Sequence, residues 1–132
     1  MTDSELFKLA DEARDDAYSP YSNITVGAAL LTRSGRVYTG ANIENAAYSP
    51  SVCAERVAIF KAVNAGERDF ASIAVAGGKH GEAARESFTP CGVCRQVMAE
   101  FCRGDFKVVL SETDSVDFDS LLPFRFDGDK IK

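Results

Sequence analysis

Over the first eighteen residues Leu6, Leu9, Ala10, Ala13 and Ala17 recur three and four positions apart among acidic and polar neighbours, which predicts an amphipathic helix over Ser4–Tyr18. Pro20 ends it. Ile24–Leu31 is a run of β-branched and aliphatic residues and predicts a strand; Ser34-Gly35 supplies a turn, and Arg36–Thr39 returns as the second strand of a hairpin. Gly27 and Gly40, near its start and end, are expected points of close backbone approach.

After the irregular stretch GANIENAAYSPSV, the spacing of Val57, Phe60 and Val63 predicts a helix over Cys53–Ala65, closed by Gly66. Ser72–Ala76 reads as a short buried strand. A Gly-rich loop from Gly77 to Thr89 leads to Pro90, and Cys91–Cys102 predicts a third helix ending near Gly104. Lys107–Leu110 is a further strand, and the tail holds a fifth strand or turn and a short helix around Phe118–Leu122, stopped by Pro123. With no repeat or linker, this order predicts one layered α/β domain over residues 1–132, with right-handed crossovers.

Composition narrows the class. A chain of 132 residues, 45% hydrophobic and 27% charged, suits one ordinary globular domain. No apolar stretch approaches the roughly 20 residues that cross a bilayer, and MTDSELFKLADEARDD is too acidic for a signal peptide, so no membrane and a cytoplasmic location are expected. Twenty acidic residues against 15 basic ones give a charge of −5 with no basic run, which disfavours a nucleic-acid partner. The four cysteines are expected as thiols or metal ligands rather than disulfides. A single histidine, His80, excludes any site needing two imidazoles.

The chemistry concentrates in Cys53-Ala54-Glu55 at one predicted helix start and Pro90-Cys91-Gly92-Val93-Cys94 at another. Cys91 and Cys94 share a helical face, and helix starts favour thiolates. Three sulfurs between two facing helix starts make a tetrahedral zinc site with one open position, which implies bound water and catalysis. Cys102 lies too far along its helix, about 12 Å from Cys94, to join them and is expected as a buried thiol. His80 is expected as an exposed loop residue. Two alternatives remain at this point: CxxC as a redox pair, or a zinc module without catalysis. Glu55 alone would be a solvated helix-start carboxylate; beside an open metal position it becomes a candidate proton shuttle.

A His or Cys, then Glu, then P-C-x-x-C is the general signature of zinc deaminases. Together with PYSNITVGAAL, ANIENAAYS, CAERVAIFKA, PCGVCRQ and the late LLPFRF, which run from Pro20 to Phe126, it makes the chain resemble the small homotetrameric cytidine deaminases. The resemblance implies a three-layer α/β fold with a mixed five-stranded sheet flanked by helices, and one zinc ion per subunit held by Cys53, Cys91 and Cys94. It implies hydrolytic removal of the amine of cytidine and deoxycytidine, as in pyrimidine salvage, with Glu55 carrying protons to N3 and to the leaving amine. Three thiolates outweigh the charge of the ion, and Arg56 matches the arginine that offsets them by donating hydrogen bonds.

By the same resemblance Asn42 and Glu44 hold the ribose hydroxyls, and backbone groups of Ala54, Thr89 and Cys91 meet the base and the leaving amine. Tyr48 approaches the ribose and Phe126 the base, each from a neighbouring subunit of the homotetramer. One position departs from the pattern: Ile24 stands where an aromatic is usual, so one face of the pyrimidine is expected to meet an aliphatic side chain. Deaminases of unusual cytosine nucleosides such as blasticidin S share the CAE and PCGxCRQ blocks and stand as the alternative. ANIENAAYS favours plain cytidine.

Overall fold

The computed structural model describes the whole chain, Met1–Lys132. Thr2 and Glu5 form a reciprocal capping box at the start of helix α1 (Asp3–Ala13), satisfying two otherwise free N–H groups. The helix stops short of Tyr18, at Arg14. Buried at the start of a 3-10 turn (Arg14–Asp16), its guanidinium donates to the carbonyl and hydroxyl of Thr25 and to the carbonyl of Lys79, each at 3.1 Å.

Five strands follow the predicted order: β1 (Ile24–Thr32), β2 (Val37–Ala41), β3 (Phe70–Lys79), β4 (Lys107–Val109) and β5 (Ser115–Asp117). They form one mixed sheet in the order β2-β1-β3-β4-β5, in which only β3 and β4 run parallel. Helices α2 (Ala54–Asn64), α3 (Gly92–Phe101) and the short α4 (Phe118–Leu121) complete the chain. A parallel pair cannot be joined by a tight turn, and α3 lies in the crossover between β3 and β4.

The period of two along each strand sorts the core into two layers. Val26, Ala28, Leu30, Ile73, Val75 and Val108 share the larger core with Ala58 and Ile59 of α2 and Cys94 and Met98 of α3. Ala29, Ala74, Ala76 and Val109 share the smaller one with Leu6 and Ala10 of α1. Small side chains on that second face let α1 lie almost on the backbone: a Cβ on Gly27 would stand 1.9 Å from the Ala10 carbonyl oxygen. The result is the expected α/β three-layer arrangement.

Two other glycines act on the site. A Cβ on Gly40 would fall 2.6 Å from both the Ala54 carbonyl and the Ala58 N–H, so the first turn of α2 rests directly on β2. Gly77 and Gly78, expected in a loop, instead extend β3 and pair with Val26 and Thr25. Their missing side chains make room for what lies above them, the Phe88 ring on Gly77 and the Ala83 carbonyl on Gly78.

Candidate metal centre

Cys53 and Cys91 occupy equivalent places, each in extended backbone at the position that starts a helix, α2 and α3 respectively. Neither side chain is spent on capping its helix, so both sulfurs are free to project from the helix starts. Cys94 sits one turn into α3 and is fully buried. The three Sγ atoms lie within 4.8 Å of one another, and they form the one group of three or more potential metal ligands in the chain. Zinc–sulfur bonds of about 2.3 Å in a tetrahedron place sulfurs about 3.8 Å apart. The Cys53 and Cys91 sulfurs are 3.6 Å apart, too far for a disulfide and right for a shared ion.

Their electrostatics point the same way. The Cys94 thiol hydrogen-bonds the Cys53 sulfur and, with help from Arg56, holds the Cys53 thiol down to about 5, while the same contact and burial push Cys94 upward. Negative charges packed this closely repel one another, and a cation among them would relieve that repulsion. Soft thiolate donors in this spacing fit zinc.

Glu55, two residues after Cys53 in the first turn of α2, is 3% exposed, and burial pushes its carboxyl up to about 7. Its Oε1 has no hydrogen-bond partner. Arg56 follows, donating from Nη2 to the Cys53 Sγ at 3.6 Å, with its Nε buried and unpartnered. Beside these groups opens a cavity of about 460 Å³, on whose wall Cys53, Glu55, Arg56 and Cys91 meet Asn42, Glu44 and Thr89. A hollow of about 530 Å³ between α1 and the 84–87 loop is larger but holds no such cluster.

Asn42 and Glu44 reach the cavity already anchored. The Asn42 amide accepts from the Val26 N–H at 2.8 Å and donates to the Ile24 carbonyl at 2.9 Å, which leaves one N–H and one lone pair for a ligand. Glu44 accepts from the N–H groups of Tyr21 and Ser22 and from the Ser22 hydroxyl, whose bond holds the carboxylate below its usual range. Ala54 is fully buried in the first turn of α2. Ile24, Tyr48 and Phe126 lie outside the cavity wall of their own chain. Ile24 packs on the larger core, whereas Tyr48 and Phe126 are 76% and 58% exposed. His80 is exposed in a turn, and Cys102, buried just beyond α3, stands apart from the sulfur trio.

Sequence reasoning missed Val26 and Phe88, which also line the cavity. Val26 could have been found from the period of two along β1, which puts it on the face of Ala28 and Leu30. Phe88, in an irregular loop, carries no periodic signal. Nor was the clasp after Cys94 foreseen. Arg95 donates to the carbonyls of Pro90 and Leu121, both at 2.8 Å, and Gln96 donates to the Phe126 carbonyl at 2.9 Å, tying the tail to the metal loop.

The family profile "Cytidine and deoxycytidylate deaminase zinc-binding region" matches residues 1–111. A cytidine deaminase of Sporosarcina psychrophila is 43% identical over 99% of this chain and 96% of its own length, and one of Halalkalibacterium halodurans is 46% identical over 96% and 95%. The crystal structure of cytidine deaminase from Burkholderia pseudomallei superposes with a TM-score of 0.86 at 45% identity, covering 96% of this chain and all of the other.

Proposed function

Because the chain belongs to the cytidine and deoxycytidylate deaminase family, we infer that the cavity beside the three thiols is where cytidine is hydrolysed to uridine and ammonia. The enzyme is a zinc-dependent hydrolase with one ion per subunit. The observation that carries this reading is the meeting of three sulfurs and a buried carboxyl, with its Oε1 unpartnered, at one open cavity.

Cys53, Cys91 and Cys94 hold the ion as thiolates. When bound, zinc supplies a Lewis acid that makes water nucleophilic near neutral pH. Glu55 moves the protons. Its carboxyl takes one from the attacking water and gives it to N3 of the cytosine ring, which makes C4 more electrophilic. A second proton passes through the same carboxyl from the new C4 hydroxyl to the amino group, which leaves as ammonia. Arg56, donating to the Cys53 sulfur, draws off part of the excess negative charge of three thiolates.

Asn42 and Glu44 hold the ribose hydroxyls with the valences their anchoring bonds leave free, and backbone groups of Ala54, Thr89 and Cys91 meet the base and the departing amine. Tyr48 and Phe126 complete the cavities of neighbouring subunits in a homotetramer; both side chains are exposed on the single chain and so free to reach a neighbour. Deoxycytidine is a second substrate, pyrimidine salvage the setting, and the cytoplasm the compartment, where a ligand set made of thiols stays reduced. No helix is long and apolar enough to cross a membrane.

Ammonia release from cytidine is expected to vanish on chelation and return with added zinc. A protein that holds one zinc per chain and releases no ammonia contradicts the reading. Dilution below the tetramer's dissociation constant, followed by sedimentation, should extinguish activity in step with dissociation; full activity in a monomer removes Tyr48 and Phe126 from the site.

A further inference from the structure

The cavity beside the thiols has one aromatic wall. Among the side chains lining it only Phe88 carries a ring, and the strand beneath is built to seat that ring. Ile73 and Val75 of β3 face α2 and α3, and Gly77 continues their row without a side chain. The Phe88 ring fills the vacated space: a Cβ on Gly77 would fall 2.6–2.8 Å from three of its ring atoms.

The loop that delivers the ring is fixed at both ends. The Arg85 N–H donates to the Gly77 carbonyl at 2.8 Å. Ser87, just before Phe88, adopts a φ of 52°, a left-handed conformation rare outside glycine. Just after Phe88 come Thr89 and Cys91, which line the same cavity, so the ring stands at a set distance along the chain from a metal ligand. Ile24, by contrast, pairs with Lys79 one pleat beyond the Val26–Gly77 pair and is absent from the cavity wall.

We propose that Phe88 is a substrate-binding, specificity-determining residue that supplies the aromatic face for the pyrimidine, the part that aliphatic Ile24 leaves open. This rests on the deaminase reading of the cavity. A half-buried ring already pinned on strand backbone loses little freedom when a base settles on it, so the gain from stacking is not offset by ordering. A flat ring favours a planar, conjugated heterocycle over a puckered one.

Steady-state kinetics of the zinc-loaded enzyme with cytidine test it. Phe88→Leu keeps an apolar side chain over Gly77 and removes the ring; KM is expected to rise about tenfold with kcat changed by less than about twofold, toward the lower end of what base–aromatic stacking contributes. Phe88→Tyr, which keeps the ring, should restore KM to near that of the parent. A merely structural role would instead lower zinc content or kcat and leave KM alone. If Phe88→Leu fails to fold, Phe88→Met, unbranched and better able to fill an irregular space, carries the same expectation. A KM within about twofold of the parent in the ringless variant overturns the proposal, whereas a parent enzyme that does not deaminate cytidine overturns the deaminase reading itself.

Discussion

The guanidinium Nη2 of Arg56 stands 3.6 Å from the Sγ of Cys53, three residues back along the chain at the start of the same helix. One sulfur of the trio is therefore hydrogen-bonded by a permanent cation. Replacing Arg56 by Gln keeps the zinc but strips this charge compensation, and kcat is expected to fall about 10–100-fold, the usual effect of losing a partner of a metal ligand. Zinc content with kcat measures it; unchanged turnover would show that three uncompensated thiolates suffice.

Cys102 separates the metal role from the buried-thiol role. It lies 2% exposed beyond α3, and burial pushes its thiol up to about 12. Cys102→Ala is expected to retain one zinc per chain, while Cys91→Ser loses it. The pH dependence has a definite sign. Between about pH 9, where the unfolded thiol ionises, and about 12, the folded chain keeps a proton that the unfolded chain has lost. Stability therefore falls as pH rises through that window, by about 1.4 kcal/mol per unit, and is unaffected by this group below it. Denaturant melts at several alkaline pH values should show a shallower slope in Cys102→Ala.

Gly40 holds the first turn of α2 against β2, and α2 begins at Cys53, one of the three clustered cysteines. Gly40→Ala forces a methyl to within 2.6 Å of two backbone atoms. The expected cost is about 1–3 kcal/mol of overpacking, with weaker zinc retention because Cys53 moves with the helix. Thermal unfolding and zinc analysis of the variant measure both; an unchanged Tm would mean that the contact relaxes freely.

Arg95 joins the turn before Cys91 to the end of α4 through two carbonyls. Arg95→Ala removes both bonds, and zinc release to a chelator is expected to speed up about tenfold, as for other supports of a metal ligand. A release rate equal to the parent's would make the clasp irrelevant to the metal.

The grouping of the cysteines was legible in the sequence because each half of it is local: Cys53 and Cys91 each open a helix, and Cys94 follows one turn after Cys91. The sheet was legible from the β-branched and aliphatic run of β1 and the short apolar run within β3. Gly77 and Gly78 were not, because glycine marks both turns and close packing, and only the Phe88 ring and the Ala83 carbonyl lying on them decide which. The early end of α1 was hidden for a similar reason. Its apolar spacing continues to Ala17, but the buried bonds of Arg14 to Thr25 and Lys79 are made across long separations that periodicity does not register. Asn42 bonds the β1 backbone as a structural amide and also lines the cavity, a double placement its position in an irregular stretch did not reveal.

The central claim is that Glu55 carries the protons of the reaction beside a trio of thiols that holds the metal without it. Turnover of cytidine by zinc-loaded Glu55→Gln tests this most directly, since the amide keeps the shape of the side chain and cannot shuttle a proton. The variant is expected to keep one zinc per chain and to lose activity by about ten thousand fold or more, at or beyond the upper end for a general acid and base, because the same carboxyl serves twice. Near-parental turnover with full zinc would contradict the mechanism.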